Sequence, residues 1–148
     1  MSGFVNSENT GERPDGGAYG EVIRAISKDG VCPFCPENLV RYHKNPILRE
    51  GAFWLLTDNM YPYEGAKHHA LLIHKRHIGD LRELEPGAWD ELHRFVADLA
   101  DERHIPGGTL IMRFGDTRYT GASVSHLHAN VVSSSGDDGR KPILARVG

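Results

Sequence analysis

The run S-V-S-H-L-H-A-N-V-V, residues 123–132, constrains the fold more than any other stretch. His126, His128 and Asn130 alternate with Leu127, Ala129 and Val131. Side chains two residues apart point the same way only in an extended chain. A helix would scatter these six residues around its circumference. A strand sorts them into a polar row and a small apolar row. The spacing therefore predicts a strand from about Ser123 to Ser133, with two imidazoles and a carboxamide on one face. The apolar face needs a covering layer.

The stretch from Pro86 to His104 supplies it. Trp89, Leu92, Phe95, Val96 and Leu99 fall on one side of an amphipathic helix. Pro86 suits the first turn, and P-G-G at 106–108 ends the pattern. Trp89, Phe95 and Leu99 are expected in the core. Residues 19–30 predict a shorter helix with Gly30 as its stop. Residues 52–58 and 69–77 read as a hairpin pair around N-M-Y-P-Y-E-G-A-K, and 109–115 as a further strand. P-I-L-A-R-V near the C-terminus reads as a last edge segment. Helix, two strands, helix, two strands is an α+β order: an antiparallel sheet with one long amphipathic helix packed on it. Residues 1–17 lack a periodic apolar pattern and are expected to be mobile, with 18–148 forming one domain.

Composition excludes some functions. The 148 residues carry a net charge of about −3, which indicates neither nucleic acid nor a membrane surface as partner. No stretch approaches 18 consecutive apolar residues, and the N-terminus lacks a secretory pattern, so a cytoplasmic protein is expected. Cys32 and Cys35, in C-P-F-C, are the only cysteines. They read as a redox pair, as half of a metal site, or as two unrelated small residues.

The polar row has chemistry available to it. Gly121 and Ser123 precede the histidines, and backbone N–H groups in such a loop can cradle a phosphate. A neutral imidazole whose far nitrogen is held by an acceptor can attack phosphorus. A phosphorus–nitrogen intermediate then splits one hard displacement into two easier ones. Alternatively, His126 and His128 bind a catalytic ion as a His-x-His pair, or the row belongs to a degenerate, non-catalytic nucleotide-binding module. Cys32, Cys35, His77 and His126 form a candidate Cys₂His₂ set, since two thiolates from a tight turn and two distant imidazoles complete a tetrahedron.

G-A-S-V-S-H-L-H-A-N-V-V resembles the signature of the histidine-triad (HIT) superfamily, His-φ-His-φ-His-φ-φ, where φ is apolar. Y-P-Y-E-G-A-K-H-H-A-L-L-I-H-K-R-H-I-G-D-L resembles the first hairpin of that family. With C-P-F-C the resemblance covers roughly residues 30–135. It implies a HIT-like fold and a nucleotide hydrolase or nucleotidyl transferase acting through a covalent nucleotidyl-histidine. The substrate classes are nucleoside phosphoramidates, dinucleoside polyphosphates and nucleotide sugars. By the same resemblance His128 is the nucleophile, Ser123 with Gly121 meets phosphate, and Asp58 or, preferably, Asn59 meets the ribose. His69 stands behind the site. The four-residue Cys/His set resembles a structural zinc site of the galactose-1-phosphate uridylyltransferase-related branch, and a homodimer is expected. This chain departs from the signature at the third triad position, where Asn130 replaces histidine, and at His74, which replaces the usual proline. An amide can donate a hydrogen bond but has no transferable proton.

Overall fold

In a computed structural model, residues 3–10 and 17–148 of the chain are described. Five strands form one antiparallel sheet in the order β1-β2-β3-β5-β4. They are β1 (Ile47–Glu50), β2 (Trp54–Asp58), β3 (Ala66–His74), β4 (Thr109–Met112) and β5 (His128–Ser134). The helices are α1 (Ala18–Asp29), α2 (Pro36–Tyr42), α3 (Pro86–Glu102) and the single turn α4 (Thr117–Thr120). Strand β1 and helix α2 were not expected from sequence, and each is short. The strand expected from Ser123 begins only at His128. Residues 121–127 are irregular, held by a bridge between Val124 and Val5.

The alternation along β5 works as the sequence requires. Ala129 and Val131 face α3, joined there by Trp54, Leu56, Ala70 and Leu72 from the neighbouring strands. The helix answers with Ala88, Leu92, Phe95 and Leu99, a stripe at i, i+4, i+7 and i+11. Trp89 lies one position round from Ala88 and is 44% exposed, so it flanks this stripe rather than entering the core. Trp54 is fully buried and its indole N–H reaches the Ala88 carbonyl at 2.8 Å, which satisfies the one polar atom a buried indole carries. The opposite sheet face carries Leu55, Leu71 and Ile73, covered by Leu39 of α2 and by Phe34.

A buried carboxylate anchors the start of β2. Glu91, 4% exposed, accepts hydrogen bonds from the backbone N–H groups of Ala52, Phe53 and Trp54 at 2.7, 2.8 and 2.8 Å. On the sequence it reads as an ordinary solvated position of α3. Gly51 leaves room for it, because a Cβ there would stand 2.3 Å from the Glu91 carboxyl carbon. We expect Glu91→Ala to cost about 3 kcal/mol, since it takes the acceptor from three backbone donors, the buried Trp54 N–H among them. The melting temperature should fall by roughly 6–12 °C. A melting curve within 2 °C of the parent, a bound set by roughly 1 kcal/mol, would refute the assignment.

The sequence reading puts residues 1–17 in a mobile segment. Of these, residues 3–10 lie along the irregular loop before β5. Ser125 donates its N–H and hydroxyl to the Phe4 carbonyl, and the Asn6 N–H reaches the Ser123 carbonyl at 2.8 Å. Val5 is buried against Ile23, Ile26 and Val124. At the other end, the expected edge strand at 142–147 does not form. That segment runs without regular structure past the loops around Gly65 and Gly121. Among the described residues no helix is long and apolar enough to cross a membrane.

Candidate active site and metal cluster

The polar row of β5 opens into a cavity of about 960 Å³, bounded by the sheet, α1, the Cys-containing turn and the C-terminal segment. This is the upper end of the range for small-molecule sites. His128 sits opposite Ile73 of β3 and Asn130 opposite Leu71, and both line the cavity. Val22, Ile23, Ile26, Phe34 and Tyr42 give it an apolar side. The Phe34 ring stands edge-on to the His128 ring, 5.1 Å between centroids.

The His128 tautomer follows from one contact. Its Nδ1 lies 2.7 Å from the His126 carbonyl oxygen. A carbonyl only accepts, so Nδ1 carries the proton and Nε2 keeps its lone pair. Burial pushes the His128 pKa down to about 4. The charge of Arg113 acts in the same direction, against the raising effect of the carbonyl bond. The ring is therefore neutral at physiological pH.

Asn130 is oriented by two hydrogen bonds in series. The Tyr63 backbone N–H donates to His69 Nδ1 at 3.0 Å, which leaves the proton of His69 on Nε2. That nitrogen lies 2.8 Å from Asn130 Oδ1 and donates to it. With its oxygen engaged, Asn130 has its Nδ2 donors left to offer the cavity. His69 thus stands behind the polar row as the resemblance implies. Asn59 also lines the cavity. Its Oδ1 accepts from the Tyr61 N–H at 2.7 Å, and its Nδ2 is 3.4 Å from Asn130 Oδ1. Asp58 points to the other face, where Arg103 holds it at 2.6 and 2.9 Å. Of the two candidates at the end of β2, only Asn59 borders the cavity.

Gly121 and Ser123 line the same cavity, and the Ser123 hydroxyl is hydrogen-bonded to that of Tyr19. Gly121 has φ +74°, and a Cβ there would meet the Arg146 carbonyl at 3.0 Å. Both facts favour glycine. Arg113 borders the cavity, whereas Arg118 is exposed and paired with Asp116.

His43 closes helix α2. It lines the cavity and bonds Thr57 Oγ1 at 2.7 Å. Tyr19 and the C-terminal Arg140, Lys141 and Arg146 also border it. No periodicity links those segments to β5, so only their three-dimensional neighbourhood identifies them.

The second ring of the row serves a different place. His126 is fully buried and its Nε2 donates to the His74 carbonyl at 2.5 Å, which turns Nδ1 toward the cysteines. Nδ1 lies 3.4 Å from Cys32 Sγ, 3.7 Å from Cys35 Sγ and 3.2 Å from His77 Nδ1. His77 Nδ1 is 3.3 Å from Cys35 Sγ. The ligand atoms of all four residues lie within 4.8 Å of one another. In a tetrahedron of zinc–nitrogen and zinc–sulfur bonds, two nitrogens are about 3.3 Å apart and a nitrogen–sulfur pair about 3.6 Å. The four separations given above lie close to those edges. Burial and then the neighbouring Cys32 push the Cys35 thiol up to about 12. A cation between the sulfurs removes that penalty. The carbonyl behind His126 supplies the outer partner that metal-bound imidazoles usually have. His128 lies outside this set, so His126 and His128 do not converge on one ion.

No protein-family model matches the chain, and no curated protein sequence is similar to it. Solved structures are. A histidine triad nucleotide-binding protein from Sulfolobus tokodaii, described as hypothetical, has 24% identity and a TM-score of 0.56, over 78% of this chain and 79% of that one. A HIT family hydrolase from Clostridium thermocellum has 24% identity and a TM-score of 0.54, over 72% and 91%. A zinc-bound histidine triad family protein from Mycobacterium smegmatis has 21% identity and a TM-score of 0.53, over 71% and 76%. The chain has the histidine-triad fold.

Proposed function

We propose that the protein is a nucleotide hydrolase or nucleotidyl transferase that works through a covalent nucleotidyl-histidine on His128. The observation that carries this reading is the His128 tautomer. Nδ1 donates to the His126 carbonyl, so the nitrogen carrying the lone pair is the one available to a ligand. Nε2 attacks the α-phosphorus of the bound nucleotide, a phosphorus–nitrogen bond forms, and the bond to the leaving group breaks with its electron pair going to that group. Water, which gives up a proton to solvent, or another acceptor then attacks the same phosphorus, the phosphorus–nitrogen bond breaks, and its pair returns to Nε2. The Nδ1–H to carbonyl bond persists throughout and stabilises the positive ring of the intermediate. Asn130 Nδ2, the loop of Gly121 and Ser123, and Arg113 are the donors for the phosphate oxygens. Asn59 is our candidate for the ribose. The apolar side formed by Val22, Ile23, Ile26 and Phe34 suits a base.

In the same reading Cys32, Cys35, His77 and His126 hold a structural zinc ion. Four protein ligands leave no open coordination position, so the ion clamps the Cys-containing turn to the start of β5 and stands outside the reaction. The protein acts as a homodimer in this proposal, as the resemblance implies.

The test is chemical trapping. Protein incubated briefly with ³²P-labelled nucleoside phosphoramidate or dinucleoside polyphosphate is quenched in acid and in base. A phosphorus–nitrogen adduct survives base and is lost in acid, and peptide mapping should place it on His128. Turnover without such an adduct, or an adduct on a different residue, would remove the basis of the proposal.

A further inference from the structure

Two independent features bear on what leaves when His128 attacks. The first is Asn130. A carboxamide has no proton to give, so nothing at the third triad position can protonate a departing amine. An oligophosphate is different. It departs as a stable anion and needs charge stabilisation instead of a proton.

The second is the rim of the cavity. Among the described residues, Arg140, Lys141 and Arg146 of the C-terminal segment border it together with Arg113, and Glu64 is the one carboxylate that does so. A chain of net charge −3 thus gathers four cations at one opening. Among the described residues, none of the four forms an ion pair. The segment is seated by contacts to the site itself. Arg113 donates to the Arg146 carbonyl at 2.6 Å, the Arg146 guanidinium reaches the Glu8 carbonyl at 3.1 Å, and Gly121 is packed against the Arg146 backbone. Phe34 stands edge-on to His128, and Arg113 and the three C-terminal cations border the same cavity. The nucleophile therefore shares one cavity with an apolar slot and a cationic rim.

We propose that the C-terminal segment forms a leaving-group subsite. Arg140, Lys141 and Arg146, with Arg113, bind the oligophosphate released when His128 takes the nucleotidyl group, and this makes the protein selective for nucleotides whose α-phosphate is esterified to further phosphates. The inference rests on the nucleotidyl-histidine reading above. The bond that forms is Nε2 to the α-phosphorus. The bond that breaks is from the α-phosphorus to the bridging oxygen, which keeps the electron pair, and the extra negative charge on the leaving phosphate is met by the four cations. No proton moves in this step. The shared chemistry is an oligophosphate leaving group, whether a second nucleoside caps it or not.

The experiment compares kcat/KM for diadenosine tetraphosphate, ATP and adenosine 5′-phosphoramidate, using the full chain and its Arg140→Gln/Lys141→Gln variant. Both substituted side chains lie on an exposed segment. We expect the parent to favour the tetraphosphate over the phosphoramidate by about a hundredfold. The variant should lose at least about tenfold of that preference, because each lost charged contact weakens binding of the released anion by about that factor. Raising the salt concentration should erode the parent's preference in the same direction. The ratio of tetraphosphate to ATP separates the two sources: a value near one means that the phosphates alone are recognised, and a large value means that the second nucleoside contributes. Faster turnover of the phosphoramidate, or a preference unmoved by both substitution and salt, overturns the subsite. The nucleotidyl-histidine reading would survive that result, because a His128 adduct would still form from the phosphoramidate. If none of the three nucleotides yields an adduct, the parent reading itself falls. Should the variant fold poorly, the parent's substrate ratio and salt dependence decide alone.

Discussion

Replacing His128 by alanine is expected to lower turnover of any accepted nucleotide by about 10⁴-fold or more, the scale of losing a covalent nucleophile. Fold and metal content should stay as in the parent. The reason is that His128 is dispensable to packing: it is half-buried at the cavity wall, and its one hydrogen bond goes to a carbonyl within its own segment. Truncating it enlarges a cavity that already exists. The labelled adduct should vanish together with turnover. Circular dichroism, zinc analysis and a substrate assay on the same preparation make the comparison. If the variant keeps the parent's rate, another group attacks phosphorus. If it unfolds or loses zinc, the side chain is structural.

The purified protein is expected to carry one zinc ion per chain, and Cys32→Ser to lose it. A bound ion present at a thousand times its dissociation constant adds about 4 kcal/mol to stability. Its loss should lower the melting temperature by roughly 10 °C. The size follows from where the ligands sit. Cys32 and Cys35 come from the turn between α1 and α2, whereas His77 and His126 come from beyond β3 and before β5. Without a cation, two thiols and two imidazoles are left packed together, one thiol pushed up to about 12. A chelator titration followed by calorimetry should reproduce the shift with unmodified protein. A metal-free preparation whose melting is indifferent to zinc and to chelator would show that the four residues merely pack.

The sequence revealed those parts of the fold that repeat at short range. Residues 128–132 carry the strand period and the stripe from Leu92 to Leu99 the helix period, and together they fix the central sheet and its covering helix. His126, by contrast, lies just before the strand that its spacing suggested. Its ring serves the cysteines because the chain turns through residues 121–127, held by contacts to residues 3–6 more than a hundred positions away. Trp89 misleads because apolar periodicity does not tell the centre of a stripe from its edge. Glu91 misleads because a charged residue on a helix is normally solvated. Only the backbone N–H groups of residues 52–54, nearly forty positions earlier, make it a buried anchor. The orientation of Asn130 depends on His69 and the Tyr63 backbone, which the fold brings beside it. The C-terminal cations carry no local signal, since they act from an irregular segment.

The two ends of the chain meet over one loop: Phe4 and Asn6 hold residues 123 and 125, while the Arg146 backbone packs on Gly121 and its side chain reaches Glu8. Two segments more than a hundred positions apart therefore share one support, and a substitution in either is felt by the loop that carries Gly121 and Ser123.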